Sequence, residues 1–309
     1  MSKKALVLLN TGGVRTKDEL EVFLRNMYND KNSTTFKNDT IRSMITSLLV
    51  GIKFNKIWQN YEQIEDKLSV QDSTELLVKK LNTLLPEYFI TTTMRYTSPF
   101  SQTTIARIKK ENIKEVILLP LFPHYGTGAV RSSIDDFVQK AEDSFDIQTI
   151  KPFYKNSLYN QSICDEIVRV QAKYRDFHLI FSAVSLPKKV IKKGDCYQDQ
   201  VEEHFELLKE KLSHYSIELR SINLAYQSKS GPSRKWLRPT LEEMLRHFKN
   251  KKVIIYPLSF VIDNIQTQYD LDIEYRKLAQ KLHIKEYRVC KCLNDSEIFS
   301  KAIKEMVTL

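Results

Sequence analysis

The side chains best suited to chemistry in this 309-residue chain follow the ends of apolar runs. One such run, 179–181, passes into Ser182-Ala183-Val184-Ser185-Leu186-Pro187, where the proline stops a strand from continuing. His124-Tyr125 follows the apolar run 115–122 and Pro123. An imidazole there can ligate a metal or shuttle a proton, or it can be a hydrogen-bonded structural group. Tyr125 can bond a ligand or only pack. Arg95 can grip a carboxylate with two hydrogen bonds, or it can close a salt bridge; Lys229 and Arg234 offer the same in weaker form. Thr11-Gly12-Gly13-Val14 follows the first apolar run, and its glycines allow a tight turn or a close backbone approach to a ligand. The third glycine of a dinucleotide fingerprint is absent. Trp236 is a packing anchor that can also stack on a ligand. Cys290-Lys291-Cys292 has no third or fourth cysteine nearby, so no iron–sulfur cluster is expected. No other grouping has zinc-site spacing.

The elements that must carry these residues alternate. Strands are predicted at 4–9, 89–96, 115–122, 178–183, 218–226, 252–259 and 286–290. Helices are predicted at 18–28, 41–61, 73–85, 101–110, 132–142, 164–174, 199–212, 239–248, 273–282 and 296–306. The alternation restarts after about residue 150. It implies an α/β fold of two doubly wound, Rossmann-like halves, 1–150 and 151–309, each with a parallel sheet of four strands. The two halves are expected to face each other across a cleft. Stretch 41–61 is apolar and basic; it suits an ordinary packed helix better than a membrane-surface one.

Composition narrows the partners. With 42% hydrophobic and 28% charged residues, the chain is typical of a soluble globular protein. Four cysteines in this length do not make a disulfide framework, which fits a reducing cytoplasm. A formal charge of +10 favours anionic ligands, but the charge is scattered. No basic-aromatic motif points to nucleic acid.

Seven motifs in order resemble the ferrochelatase family, whose members insert ferrous iron into a porphyrin. They are Leu8-Leu9-Asn10-Thr11-Gly12-Gly13, Phe23-Leu24-Arg25-Asn26-Met27 with Asp30, and Met94-Arg95-Tyr96. Leu119-Pro120-Leu121-Phe122-Pro123-His124-Tyr125 with Ser132-Ser133 follows. Then come Tyr226-Gln227-Ser228-Lys229 with Trp236-Leu237, the stretch 263–272, and Cys292-Leu293-Asn294-Asp295. The resemblance is closest to bacterial members. It implies a chelatase-like fold and a porphyrin or haem ligand touching Thr11, Gly12, Val14, Met94, Arg95, Tyr96, His124, Tyr125, Val184, Trp236 and Gln266. His124 is the one candidate for holding metal.

The departures bear on function. The resemblance puts a catalytic histidine where Val184 stands and a glutamate where Gln266 stands. Asn264 replaces a second histidine and Ile262 a serine, and 126–131 differs from the family's loop. Valine can neither accept a pyrrole proton nor ligate iron, and a carboxamide does not titrate. The expectation is a cytoplasmic pseudoenzyme that binds porphyrin or haem in haem biosynthesis or haem handling, with iron insertion lost or strongly impaired. One alternative is an active ferrochelatase with His124, Asp263 or Asp270 as substitute acid/base. Another is a non-catalytic partner of an intact ferrochelatase. Haem-using proteins and a peripheral membrane surface remain partners compatible with this reading.

Overall fold

A computed structural model describes residues 3–34, 38–171, 175–228 and 235–308. Among them, eight strands form two parallel sheets. The first holds β1 (Lys4–Asn10), β2 (Tyr88–Met94), β3 (Glu115–Pro120) and β4 (Asp146–Thr149), in the order β2-β1-β3-β4. The second holds β5 (Phe177–Val184), β6 (Leu219–Gln227), β7 (Lys252–Pro257) and β8 (Glu286–Val289), in the order β6-β5-β7-β8. Both sheets wind the same way. The chain leaves a central strand for one edge, then crosses back beyond it. The winding reverses between β1 and β3, and again between β5 and β7. In open α/β sheets the loops after such strands build sites.

The contacts divide the chain into two compact units. One is Met1–Phe122, Gly126–Lys151 and Ile303–Leu309; the other is Pro123–Tyr125 and Pro152–Ala302. This differs from a single cut at residue 150 in where it assigns Pro123–Tyr125 and Ile303–Leu309. In the first unit, Ala5, Val7 and Leu9 of β1 join Val116 and Leu118 of β3 against Ile105, Ile108, Phe137 and Ala141. Those four come from helices Ser101–Lys110 and Ser132–Ala141. Leu6 and Leu8 are also fully buried. That is why β1 reads as an unbroken apolar run: a parallel strand is covered on both faces. In the second unit Ile180, Val253 and Ile255 pack against Leu241, Leu245 and Leu271.

Several elements depart from the sequence expectation. β4 has no predicted counterpart, because it is a four-residue edge strand of half-exposed, mostly polar residues. The helix expected from residue 164 begins at Ser157, where Asn156 Oδ1 accepts from Tyr159 N at 2.8 Å. Polar Asn160, Gln161 and Ser162 mask its apolar period. The helix expected at 273–282 begins at Gln266 instead, as a π-helical segment Gln266–Glu274 that continues into Tyr275–Lys281. A second π-helical segment, Thr127–Arg131, lies within the expected loop after β3. Bonding from i to i+5 does not follow the 3.6-residue period on which a helix prediction rests.

Helix Asp39–Glu62 buries Arg42, Thr46 and Val50. Together with Phe54, Ile57, Trp58 and Tyr61, Val50 packs against Leu20 and Leu24. No helix among the described residues is long and apolar enough to cross a membrane.

Candidate active site

In the first unit the loops after β1 and β2 are tied together. Arg95 N donates to Asn10 O at 2.8 Å and Tyr96 N to Thr11 O at 2.9 Å. Gly12 has φ +98°, and a Cβ there would collide with Thr97 Oγ1. Only glycine fits both constraints. Buried Gln71 donates to Gly13 O at 2.9 Å and to Thr97 Oγ1 at 3.2 Å, which fixes the turn. Thr11 is half-buried, but Val14 is core, packed with Leu20, Leu24 and Val50.

The three residues after and at the end of β2 are turned inward. Met94 and Tyr96 are 1% and 2% exposed, so neither offers a face to a ligand. Arg95 is committed within the unit. Its Nε donates to Ser132 Oγ at 2.8 Å, Nη1 lies 3.3 Å from Asp136 Oδ1, and Nη2 lies 3.6 Å from Asp30 Oδ2. Tyr96 OH donates to Asp30 Oδ2 at 2.7 Å, and Ser132 Oγ donates to the same oxygen. These contacts engage Arg95 with protein carboxylates: buried Asp30, which is retained in the interior only when paired, and half-buried Asp136, which Lys140 also meets at 2.7 Å. This network also holds the π-helical turn, since Ser33 Oγ donates to Gly128 O at 3.2 Å and lies 2.9 Å from Tyr96 OH.

In the second unit β5 ends on half-buried Val184, paired in register with Gln227 of β6. Val184 N donates to Ser259 Oγ at 2.9 Å, and Ser259 Oγ lies 2.6 Å from Tyr197 OH. Burial, against the smaller effect of the Ser259 hydrogen bond, pushes the Tyr197 phenol well up, so it stays protonated. Beyond the strand, Pro187 bridges Trp236, and Leu237 N donates to Leu186 O at 3.1 Å. Half-buried Trp236 is thus fixed beside the strand end, while Lys229 and Arg234 lie outside the described residues.

Gln266 opens the π-helical segment after β7, half-buried, its N–H donating to Asn264 Oδ1 at 2.9 Å. Asp263 is already occupied: it accepts from Thr267 Oγ1 at 2.8 Å, Asn294 Nδ2 at 2.8 Å and Cys292 N at 3.2 Å. Asp270, four residues beyond Gln266, is less engaged. Its Oδ2 accepts from Ser228 Oγ at 2.8 Å. Desolvation, aided by Glu274 and opposed by Ser228, raises its carboxyl to about 6.

His124 is 3% exposed and belongs to the interior of its unit. Its Nε2 lies 2.9 Å from His204 Nδ1, and His204 Nε2 lies 2.9 Å from Asn160 Oδ1. Asn160 Nδ2 donates to Tyr154 O at 3.0 Å, which orients its amide. The tautomers follow: His204 donates from Nε2, so its Nδ1 accepts from His124 Nε2–H. Burial lowers the His124 imidazole to about 3 and holds it neutral. The expectation that His124 holds metal or replaces the missing base is corrected on this ground. Its hydrogen-bonded nitrogen is taken, and the other is enclosed. Tyr125 is half-buried, its N–H donating to Gln200 Oε1 at 2.7 Å. Among the described residues no group of three or more His, Cys, Asp or Glu could hold a metal ion.

Sequence reasoning missed His204, since a lone histidine in a helix carries no spacing signal, and it named Asp30 and Ser228 only as motif members, without the partners they meet.

The comparisons with known proteins agree across the full length. The ferrochelatase of Sulfurimonas denitrificans is 42% identical over 313 residues, covering 99% of this chain and 98% of that one. The ferrochelatase of Nitratiruptor sp. is 40% identical over 312 residues, covering 98% of each. Among solved structures, SirB from Bacillus subtilis with Fe3+ superposes with a TM-score of 0.61 at 12% identity, covering 99% of this chain and 94% of that one. At that identity the likeness concerns the fold alone, and it is a chelatase fold of two parallel sheets. The family model described as Ferrochelatase matches residues 3–309, and with relatives this similar over their whole length the chain belongs to the ferrochelatase family.

Proposed function

We propose that this chain binds a porphyrin in haem biosynthesis or haem handling and inserts ferrous iron far more slowly than a family member bearing an imidazole and a carboxylate at its two acid–base positions. One observation carries the reading. The end of β5 and the start of the π-helical segment present Val184 and Gln266, neither of which titrates. Insertion must remove two pyrrole protons, and a positioned acid–base group typically contributes about 10²- to 10⁴-fold in rate. Half-buried Val184 and Trp236 offer apolar surface to a flat macrocycle. The family supplies the substrate class, a porphyrin and ferrous iron. The four cysteines are free, in keeping with a cytoplasmic setting.

The test is an anaerobic titration with protoporphyrin followed by addition of ferrous iron. A saturable absorbance change at micromolar porphyrin, about 8 kcal/mol of binding, supports the ligand. Insertion on the order of 1 s⁻¹ or faster, an ordinary enzyme rate, would refute the impairment. Absence of saturable binding would refute the ligand.

Peripheral membrane contact belongs to the same reading. Ile41, Met44, Leu48 and Ile52 are 51%, 70%, 62% and 68% exposed. They fall at helical spacing on one face of Asp39–Glu62, and residues 40–61 contain no acid. Such a face suits an anionic bilayer surface. Sedimentation with vesicles containing anionic lipid should carry the protein down, and Met44→Ser with Ile52→Ser should release it. Equal sedimentation of the variant sinks the idea.

A further inference from the structure

We infer that Gln200 is a positioning residue for the porphyrin: it holds the backbone of Tyr125 on the same face of helix Tyr197–Leu212 that fixes the end of β5, and so presents the Tyr125 side chain to the ligand. The inference rests on the porphyrin binding proposed above and adds the residue that orients one contact of that site.

Tyr197, Gln200 and His204 stand at i, i+3 and i+7 of that helix, so they share one face. Tyr197 takes the strand end: its OH lies 2.6 Å from Ser259 Oγ, which accepts from Val184 N at 2.9 Å. Gln200 takes the loop after β3: its Oε1 accepts from Tyr125 N at 2.7 Å. His204 takes the preceding loop residue, with Nδ1 2.9 Å from His124 Nε2. The His124 ring also meets Tyr197 edge-on, with centroids 5.9 Å apart. Three residues of helix rise, about 4.5 Å, separate the anchor of Val184 from the anchor of Tyr125. All these residues belong to the second compact unit.

The Gln200 amide has a fixed orientation. Its Nε2 donates to Cys196 Sγ at 3.3 Å, one turn back, which leaves Oε1 as the acceptor facing Tyr125. The loop is pinned just ahead of the dipeptide as well, where Pro123 O accepts from Phe153 N at 3.1 Å and Tyr154 N at 3.2 Å. The backbone around Tyr125 is therefore ordered before any ligand arrives, and a preordered contact costs less on binding.

The helix takes the side chain of His124 but only the backbone of Tyr125. Among the described residues the Tyr125 phenol has no hydrogen-bond partner and its ring no aromatic partner. The residue is half-buried, so the side chain is not enclosed. A ring whose backbone is fixed, and whose face and hydroxyl are unclaimed, suits a ligand contact. Its face offers apolar surface to a flat macrocycle, and its O–H can donate to a carboxylate.

Without the Gln200 acceptor, the Tyr125 N–H turns to water and the ring is no longer held. The ligand then has to order it, and affinity falls although no ligand contact has been deleted. The loss is that of one hydrogen bond, about three- to tenfold in affinity. His204 acts in the same direction on the neighbouring residue. Its removal would also unpair buried His124 and Asn160, so it would disturb the interior, whereas half-buried Gln200 can be changed without that cost.

The experiment titrates five proteins with protoporphyrin, followed by absorbance: the native chain, Gln200→Met, Gln200→Glu, Tyr125→Ala, and Gln200→Met combined with Tyr125→Ala. Tyr125→Ala should weaken binding about tenfold, as truncation of an aromatic anchor does. Gln200→Met should weaken it about three- to tenfold. Gln200→Glu keeps an oxygen facing Tyr125 N and should stay within about twofold of native. In the Tyr125→Ala background Gln200→Met should cost nothing further, because it acts through Tyr125. A purely structural role would lower the urea midpoint and leave the dissociation constant in place. Native affinity in Tyr125→Ala or in Gln200→Met overturns the assignment. So does an equal loss from Gln200→Met with and without the Tyr125 ring, or a Gln200→Glu loss as large as that of Gln200→Met. Each of these leaves native porphyrin binding intact and so spares the reading beneath it, whereas absence of saturable porphyrin binding in the native chain removes both.

Discussion

Replacing His124 with glutamine should make the protein less sensitive to acid. His124 and His204 are both buried, both neutral, and share one hydrogen bond at 2.9 Å. A second proton has no place between them. Burial lowers His124 to about 3, and burial with the His124 charge lowers His204 as well. An unfolded histidine titrates near 6.5. Below that pH the unfolded chain binds protons that the folded chain refuses, so stability is retained above about 6.5 and falls as pH falls toward 3. Integrated from pH 7 to pH 5, the His124 imidazole alone accounts for about 2 kcal/mol of lost stability. His204 acts in the same direction. In His124→Gln the amide can still donate to His204 Nδ1, but it does not titrate. Urea unfolding of both proteins at pH 7 and pH 5, followed by circular dichroism, gives the comparison. The native protein should lose about 2 kcal/mol more than the variant over that interval. Any loss of packing in the variant is present at both pH values and cancels. Half-buried His178, also lowered by burial, is common to both and cancels too. Equal losses within about 0.5 kcal/mol, less than half a pH unit of linkage for one group, would refute the buried, neutral assignment.

Val184→His combined with Gln266→Glu should raise iron insertion at least about 10²-fold, because the two roles act as a unit and either change alone can show little. A new carboxylate four residues before Asp270 should also raise the Asp270 proton affinity by like-charge repulsion; no gain in rate with porphyrin still bound sinks the expectation. Asp30→Asn removes a buried carboxylate that accepts from Tyr96 and Ser132 and faces Arg95. It should cost about 2–3 kcal/mol, on the scale of hydrogen bonds to a charged group, and a urea midpoint unchanged from the native protein would argue against the hub.

The winding of the sheets was legible because burial on both faces writes itself into sequence. Leu6 to Leu9 and Val116 to Leu119 are unbroken apolar runs, and both lie in central strands with no exposed face. The edge strand β4 has one fully apolar residue, Ile147, among four, and shares that composition with many loops. The two π-helical segments were hidden for a different reason. Pattern reading looks for residues three and four apart on a buried stripe, and Gln266–Glu274 buries only Thr267 and Leu271.

The site was legible where motif and backbone coincide, and opaque where partner choice decides. Gly12 follows from its own conformation and from the crowding of Thr97. Arg95 and His124 do not, because a side chain's type states what it can do and its neighbours state what it does. Arg95 is engaged by protein carboxylates, and Asp30 and Asp136 come from positions 65 residues before and 41 after it. His124 can take up a proton only where its cation is solvated, and His204, 80 residues away, closes that route. The same logic raises Asp270 over Asp263. Both stand in the stretch 263–272 that carries the resemblance, and both are aspartates. Three donors from Thr267, Asn294 and Cys292 quench Asp263, while a single donor from Ser228 leaves Asp270 with a free oxygen.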